Sequence, residues 1–288
     1  LLLAFVQMQG VAQQKEWTLS DCINYALEHN ISVRQSELNV EQREIDLNTA
    51  QGRRLPGLSA SSSESLSFGR GLGADNTYTN SNTSSTSFSL GMDVPVFQGL
   101  QINKAVKMSR LDLSAALADL AKAKDDISVS VAQAYVQILY NQELLKVAVS
   151  QEEHDGMLLY QMEEKKKVGK ASAADLAAQR ATLAQSKVSR TQAEANLNIA
   201  ILDLTQLLEL PTPDGFQIAT PELDITMGNL TLPEDIYIQA LLNKPVIKAA
   251  QYRLEGADKT IRIAQSAYYP QLNFGAGLST NYYNMSGI

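Results

Sequence analysis

The chain has 288 residues, a formal net charge of −7, one Trp, two His and one Cys. That acidic balance lacks the basic face a nucleic-acid binder presents, so nucleic acid is excluded as a partner. His29 and His154 stand alone in the sequence and Cys22 has no second cysteine, which leaves no paired metal ligands, no intramolecular disulfide and no expected cofactor.

Taken in order, the chain opens on Leu1-Leu2-Leu3-Ala4-Phe5-Val6, followed by Gly10-Val11-Ala12 and Gln13-Gln14. An apolar run, small residues at −3 and −1 and a polar start form the order of a secretory signal, so residues 1–12 are expected to be a signal peptide remnant. No later stretch reaches 18 apolar residues, so no spanning helix is predicted, although an exported chain can still enter a membrane as strands. Thr18-Leu19-Ser20-Asp21 is a helix start with Thr18 as N-cap, and Asn30 can end that helix. Cys22 lies within it and is expected to pack as a small buried hydrophobe. A second helix over 32–51 carries Val33, Val40, Leu47 and Ala50, and Gly52 with Leu55-Pro56-Gly57 stops it. These helices define a first segment, 13–54.

Residues 59–89 are dense in Ser, Thr and Asn and read superficially as a disordered linker. Their phase argues otherwise. Ser59, Ser61, Ser63, Ser65 and Ser67 occupy one parity, and Leu58, Ala60, Leu66 and Phe68 the other. Ser87, Ser89, Gly91 and Asp93 then alternate with Phe88, Leu90, Met92, Val94 and Val96. A period of two with one apolar and one hydroxyl-rich face is the pattern of membrane β-strands, so 55–98 is expected to hold two transmembrane strands joined by an extracellular loop at 69–76. The loop is glycine-rich, but a polar strand follows it. A phosphate cradle would need a helix there. Glu64 breaks the apolar parity, and a carboxylate facing lipid is costly, which places it at a subunit boundary or an interface.

Pro95 and Pro211 bracket a stretch with no proline between them, and its composition favours helix throughout. It breaks at Lys165-Lys166-Lys167-Val168-Gly169-Lys170-Ala171-Ser172. Segment 99–210 therefore reads as a long antiparallel helical hairpin turning at Gly169, its first helix over 101–168 and roughly 100 Å long. Leu113, Leu117, Leu120, Ile127, Val131, Ala134, Ile138, Leu145 and Ala148 recur in steps of three and four, with Lys124 and Asn141 as polar exceptions. The second helix has Leu176, Leu183, Leu197, Ile201, Leu204 and Leu208, and a separate stripe of Ala177, Ala181, Ala184, Val188 and Ala195. Two seams imply neighbours on both flanks, as in a ring of helices. Gly156 weakens the first helix by about 1 kcal/mol relative to Ala. Segment 211–231 is a connector with a short strand at 216–219, and Thr231-Leu232-Pro233-Glu234 starts another helix with a capping box.

A shift of 214 positions lays the beginning of the chain on its end: Asp21 meets Asp235, Leu27 meets Leu241, Glu41 meets Glu255 and Pro56 meets Pro270. After Pro270, Leu272, Phe274, Ala276, Leu278 and Tyr282 share one parity, while Asn273, Gly275, Gly277, Ser279 and Asn281 share the other. Segment 232–269 is thus expected to repeat the helices and 270–288 the first strand, with a second outgoing strand and hairpin to follow. Three or four strands cannot close a barrel, which needs at least about eight, so several protomers would share one. The serine-rich parity gives a wet lumen lined by Ser59, Ser61, Ser63, Ser65, Ser67, Ser87, Ser89, Asp93, Asn273 and Ser279.

Over residues 18–283 the chain resembles the TolC family of outer-membrane efflux proteins. The resemblance rests on Thr18-Leu19-Ser20-Asp21-Cys22-Ile23-Asn24-Tyr25-Ala26-Leu27-Glu28-His29-Asn30 and on Gln51-Gly52-Arg53-Arg54-Leu55-Pro56-Gly57-Leu58. It rests equally on Val94-Pro95-Val96-Phe97-Gln98-Gly99 and on Val168-Gly169-Lys170-Ala171-Ser172-Ala173-Ala174-Asp175-Leu176, in this order and with the duplication. Cys22 departs from the family's usual small or acidic residue.

The resemblance implies an α+β membrane protein: a homotrimer whose strands share an outer-membrane β-barrel and whose long hairpins form a periplasmic α-barrel. It implies a tripartite efflux or type I secretion system in which a periplasmic adaptor (membrane fusion protein) and an inner-membrane transporter supply selection and energy, with outer-membrane lipid around the barrel. The adaptor would meet the hairpin turn, here Lys167, Val168, Gly169, Lys170, Ala171, Ser172 and Ala173. The family's constriction is built partly by a second long hairpin, which this sequence does not contain, so no gate residue is named. The lysines of the turn suit either an acidic adaptor surface or an ordinary exposed tip. The expected function is a passive exit duct with no enzymatic step. The rival is a non-conducting coiled-coil scaffold or adhesin stalk, which predicts no ordered strand between Leu58 and Phe97.

Overall fold

The computed structural model describes residues 16–72, 76–213, 215–220 and 232–287. The expected signal segment, the centre of the glycine-rich loop and Thr231 lie outside the described residues. In chain order the elements are α1 (Leu19–His29), α2 (Ile31–Gly52), β1 (Gly57–Leu72), β2 (Tyr78–Gln98), α3 (Gln101–Lys167), α4 (Ala173–Leu207), α5 (Pro233–Asn243), α6 (Pro245–Gln265), a 3-10 turn (Ser266–Tyr268) and β3 (Gln271–Gly287). No helix among the described residues is long and apolar enough to cross a membrane. The chain divides into two compact units, one of Leu1–Leu38 with Asp119–Pro245 and one of Asn39–Ala118 with Val246–Ile288.

The first unit is built on the α3–α4 hairpin. Thr18 caps α1 as the sequence requires: its hydroxyl accepts from the Asp21 amide while the Asp21 carboxylate accepts from the Thr18 amide. Asn30 both ends α1 and begins α2, because its side-chain oxygen accepts from the Ser32 amide at 2.9 Å. Its side-chain nitrogen donates to the Leu207 carbonyl at 3.0 Å, which ties the junction to the end of α4.

Cys22 and Ala26, one turn apart on α1, are fully buried among Val131, Tyr135, Ile138, Ala200, Leu204, Leu208 and Ile218. Small side chains at these two positions let α1 lie close against the hairpin. Trp17 pairs with Ile218 as a parallel bridge, with Trp17 N–H donating to Gln217 and Ala219 N–H to Trp17, both at 2.9 Å. That bridge is all that forms of the strand expected over 216–219. The Tyr135 hydroxyl reaches the carbonyls of Ala219 and, at 3.3 Å, Trp17, and burial pushes its pKa up, so it stays a donor.

The predicted seam is largely the one that packs. Val131, Ile138, Leu176, Leu204 and Leu208 are buried, and Ile127, Leu145, Leu183, Leu197 and Ile201 are half-buried. The polar exceptions have partners: Asn141 donates to the Asn196 carbonyl at 3.2 Å, and Lys124 lies 3.7 Å from the Glu37 carboxylate. The stripe Ala177, Ala181, Ala184, Val188 and Ala195 is exposed. At the end of α4, Glu209 takes φ 55°, Glu209 N–H donates to Gln206 and Leu210 N–H to Thr205. This is a Schellman stop with a side chain where glycine is preferred. The capping box expected for α5 is absent, because its N-cap is Leu232, which carries no side-chain acceptor.

In the second unit, β1, β2 and β3 form one antiparallel sheet in that order, of 16, 21 and 17 residues. The strands are longer than the sequence reading put them. Gly69–Leu72 belongs to β1 and pairs with Tyr78–Ser81 of β2, so the loop expected at 69–76 shrinks to the few residues between the strands. Gly99 and Leu100, at φ 57° and 63°, turn β2 sharply into α3. Lys104 then closes the end of α6, donating to the Arg262 carbonyl at 3.0 Å and the Ser266 hydroxyl at 2.9 Å. In this unit the predicted α3 seam residue Leu117 is 49% exposed, whereas its neighbours Ala115 and Ala116 are buried.

Two left-handed positions give opposite expectations. A Cβ on Gly99 would lie 2.7 Å from the Ser266 carbonyl oxygen and 2.9 Å from the Tyr269 Cβ. Gly99→Ala is expected to destabilise by about 2–4 kcal/mol, while Glu209→Gly relieves its left-handed backbone and gains about 0.5–1 kcal/mol. Thermal or denaturant unfolding of the two variants beside the parent checks both signs.

Candidate functional site

Two places carry the residues singled out by sequence: one face of the sheet and the turn of the hairpin. On the sheet, register alone decides which side chains meet, since successive residues alternate faces. Ser61 pairs with Ser89 and Ser89 with Ser279; Ser63 pairs with Ser87 and Ser87 with Asn281. Ser59, Gly91 and Gly277 form the next row down, then Gly57, Asp93 and Gly275, then Pro95 and Asn273. Ser65 pairs with Ser85 and Ser67 with Thr83 above. All ten residues expected on the hydroxyl face therefore share it.

The rows are bonded across strands. The Ser61 and Ser89 hydroxyls lie 2.7 Å apart, as do those of Ser63 and Ser87, and Ser85 donates to the Asn281 side chain at 2.9 Å. Ser85 and Asn281 extend the face past the residues selected from sequence; their parity was the available signal. The opposite face collects Leu58 with Met92 and Ala276, Ala60 with Leu90 and Leu278, and Val94 with Phe274. Leu58 and Leu278 are open, at 74% and 76% exposure, while Met92 and Val94 are half-buried. The Ser/Thr-rich stretch is thus paired strand, which removes the linker on which the stalk reading depended.

At the turn, α3 ends at Lys167, one residue before the sequence reading, and Gly169 follows at φ 73°. Gly169 N–H donates to Lys166 at 3.0 Å and Lys170 N–H to Lys165 at 2.8 Å, a Schellman arrangement that requires a left-handed residue. A Cβ on Gly169 would meet nothing within 4 Å, so glycine is held there by backbone conformation and not by space. Ser172 starts α4 with a full capping box to Asp175, and its hydroxyl and amide hold the Asp175 carboxyl below its ordinary value. Lys167 pairs with Glu164 at 2.6 Å, which raises its pKa, and Arg180 with Glu163 at 3.0 Å. Residues 165–170 are exposed.

Between turn and core lies a layer the sequence reading passed over. Asp155 is buried on α3 and receives the hydroxyl of Ser186, buried on α4, together with the Gln151 side chain at 3.1 Å. Arg190 lies 3.4 Å from the Glu152 carboxylate alongside. Continuing the seam from Ala148 by four and three lands on Glu152 and Asp155. Their charge hid them from a search for apolar positions.

A sequence model of the family described as outer membrane efflux protein matches residues 22–209. The chain belongs to that family. It is 26% identical over 277 residues to a probable outer membrane lipoprotein, SilC, of Salmonella typhimurium, covering 94% of this chain and 57% of SilC. Among solved structures it is similar to CusC, described in connection with folding and transmembrane channel formation, with TM-score 0.75 and 20% identity over 93% of this chain and 64% of that one. The CmeC outer membrane channel of Campylobacter jejuni gives TM-score 0.73 and 18% identity over 94% of this chain and 61% of CmeC. The chain therefore spans less than two thirds of each of these relatives. At such identities the two structures speak to the fold, and their fold matches the long hairpin and sheet described here.

The Asp155 layer makes a pH expectation. Ser186 first, then Gln151, holds the Asp155 carboxyl below its ordinary value of 3.8. A depressed carboxyl stabilises the fold fully above its unfolded value, and that contribution is lost as pH falls through the lower folded value. Ser186→Ala removes the main cause, so the variant should be less protected than the parent around Asp155 near about pH 5, and the difference should narrow as pH falls through the parent's folded value. Hydrogen exchange of residues 150–190 between about pH 5 and about 2 tests this.

Proposed function

We propose that this chain supplies the channel of an outer-membrane exit duct, a passive conduit in a tripartite efflux or type I secretion system. The observation that carries the reading is the three-stranded sheet with hydroxyls on one face, apolar side chains on the other and an unpaired strand at each edge. Unpaired backbone in hydrocarbon costs several kcal/mol per group, so a sheet of this kind belongs in a closed barrel made with other copies. Homotrimeric closure places Ser59, Ser61, Ser63, Ser65, Ser67, Ser87, Ser89, Asp93, Asn273 and Ser279 toward the lumen and the Leu58 face toward outer-membrane lipid.

Residues 55–98 and 270–288 are then the membrane part of each protomer. Segments 13–54, 99–210 and 232–269 are its helical extension into the periplasm, with 211–231 as connector and 1–12 removed on export. The element bounds support an internal repeat: α1 and α5 begin 214 positions apart, as do α2 and α6 and as do β1 and β3. The exposed stripe on α4 supports helix neighbours from other copies. The turn at Lys167, Val168, Gly169, Lys170, Ala171, Ser172 and Ala173 meets the periplasmic adaptor, and the inner-membrane transporter supplies the energy. The duct assigns no chemical step to any side chain.

Two experiments test this. The full-length protein should migrate as a heat-modifiable trimer and give conductance in planar bilayers; a monomer without conductance would sink the reading. For the turn, Gly169→Asn keeps a residue tolerant of the left-handed backbone and should preserve adaptor crosslinking, whereas Gly169→Trp should lower crosslinking and efflux severalfold with the trimer intact. Unchanged crosslinking in Gly169→Trp would remove the turn from the adaptor interface.

A further inference from the structure

The lipid-side face of the sheet is not apolar along its whole length, and the register shows where it changes. From the bottom, its rows are Phe97 with Leu272, Val94 with Phe274, Leu58 with Met92 and Ala276, Ala60 with Leu90 and Leu278, and Ser62 with Phe88 and Thr280. The next row is Glu64 with Thr86 and Tyr282, and above it come Leu66 with Ser84 and Asn284, then Phe68 with Asn82. On β2 the apolar run ends at Phe88 and on β3 at Leu278, one row lower, so both have ended by the Thr86–Tyr282 row, although the two strands run in opposite directions and were matched only by pairing. Glu64 on β1 falls in that row.

We infer that the Glu64–Thr86–Tyr282 row is the outer boundary of the hydrocarbon band, and that the β1–β2 end above it stands clear of the bilayer. This rests on the membrane reading of the sheet and assigns its depth. Leu272 to Tyr282 is ten residue steps along β3, which at about 3.4 Å per step and a strand tilt of about 40° rises about 26 Å. The apolar band of an outer-membrane barrel is roughly 25 Å tall, so the segment below Glu64 fills it. Aromatic residues sit at both ends, Phe97 and Phe274 below and Tyr282 above, as the interfacial girdles of such barrels do. Above the row, β1 runs on from Glu64 to Leu72, roughly 20 Å of further height on the same arithmetic. Above the row this face still holds Leu66, Phe68 and the paired Leu72 and Tyr78, but they are interleaved with Ser84, Asn284, Asn82, Arg70 and Asn80, so no unbroken apolar run continues there.

A depth measurement decides it. Cys22 is fully buried, so an added cysteine can carry a nitroxide label, with the unmodified protein as background control. Labels at Leu90→Cys, Leu278→Cys, Thr86→Cys, Ser84→Cys and Asn284→Cys would be read in liposomes by collision with oxygen and with a water-soluble nickel chelate. The two strands sample each level independently, so one poorly folded variant does not decide the outcome. Expected are oxygen-rich, nickel-poor signals at Leu90 and Leu278, and severalfold higher nickel access at Ser84 and Asn284, with Thr86 between. Nickel protection at Ser84 and Asn284 equal to that at Leu90 would overturn the boundary and leave the membrane reading standing. Nickel access at all five positions would overturn both.

Discussion

A backbone amide or carbonyl in hydrocarbon must be bonded to another backbone group, because no water is present to replace it. The features of the sheet follow from that requirement. A three-stranded sheet satisfies the interior groups of β2 and leaves one side of β1 and one side of β3 open. In water such edges invite aggregation; in a bilayer they demand closure. Pairing in turn fixes parity, since a slip of one residue would exchange the serine face and the leucine face of a strand. Cross-strand hydroxyl pairs at 2.7 Å, Ser61 with Ser89 and Ser63 with Ser87, hold the register from the wet side.

The helical part answers a different requirement. Most of a helix's stability in a folded protein comes from packing, and the 67-residue α3 packs against the 35-residue α4 through a seam of buried side chains. Near α1 the seam is apolar, with Val131, Ile138 and Leu204 fully enclosed. Toward the turn it becomes polar, with Asp155 and Ser186 facing each other and Arg190 near Glu152. Apolar layers supply most of the packing energy, whereas a buried hydrogen-bonded pair adds little net stability but tolerates no slip along the helices. The turn itself is set by two sharp local devices, a Schellman stop at Gly169 and a capping box at Ser172, with only two residues between them.

Much of this was legible in the sequence because the signals were periodic or local. Alternating serine gave the wet face before any pairing was known, and Thr18, Asn30 and Gly169 announced the helix ends through ordinary capping chemistry, whereas the Ser172 capping box went unread. The misses have physical reasons as well. Gly69–Leu72 looked like loop because glycine and arginine interrupt the alternation, yet pairing with Tyr78–Ser81 of β2 holds it as strand. Asp155 and Ser186 were invisible to a search for apolar residues, since burial by mutual hydrogen bonding leaves no hydrophobic trace. Leu117 occupied the right phase for the seam and is exposed, because the buried side chains at that height are Ala115 and Ala116. Periodicity identifies a face; it does not say which neighbour covers it.

The two helix–helix–strand segments show which property is held fixed. α1 and α5 both have 11 residues, α2 and α6 have 22 and 21, and β1 and β3 start at Gly57 and Gln271. The chemistry at the ends differs: Thr18 completes a capping box, while Leu232 makes no side-chain cap and relies on Pro233 at the first helical position. α1 buries Cys22 and Ala26, whereas α5 buries none of its residues. Lengths are kept where caps and burial are not. Both segments deliver a strand to the same partner, Gly57 opposite Asp93 and Gln271 opposite Gln98, and each must arrive with its serines and leucines on the correct faces. A slip of one residue in either pairing would invert that strand unless a bulge absorbed it, as the register shift between Pro95 and Phe97 does at the foot of the sheet. Loss of a helix cap costs about 1 kcal/mol, but a parity shift inverts a whole strand, so register is the stricter constraint.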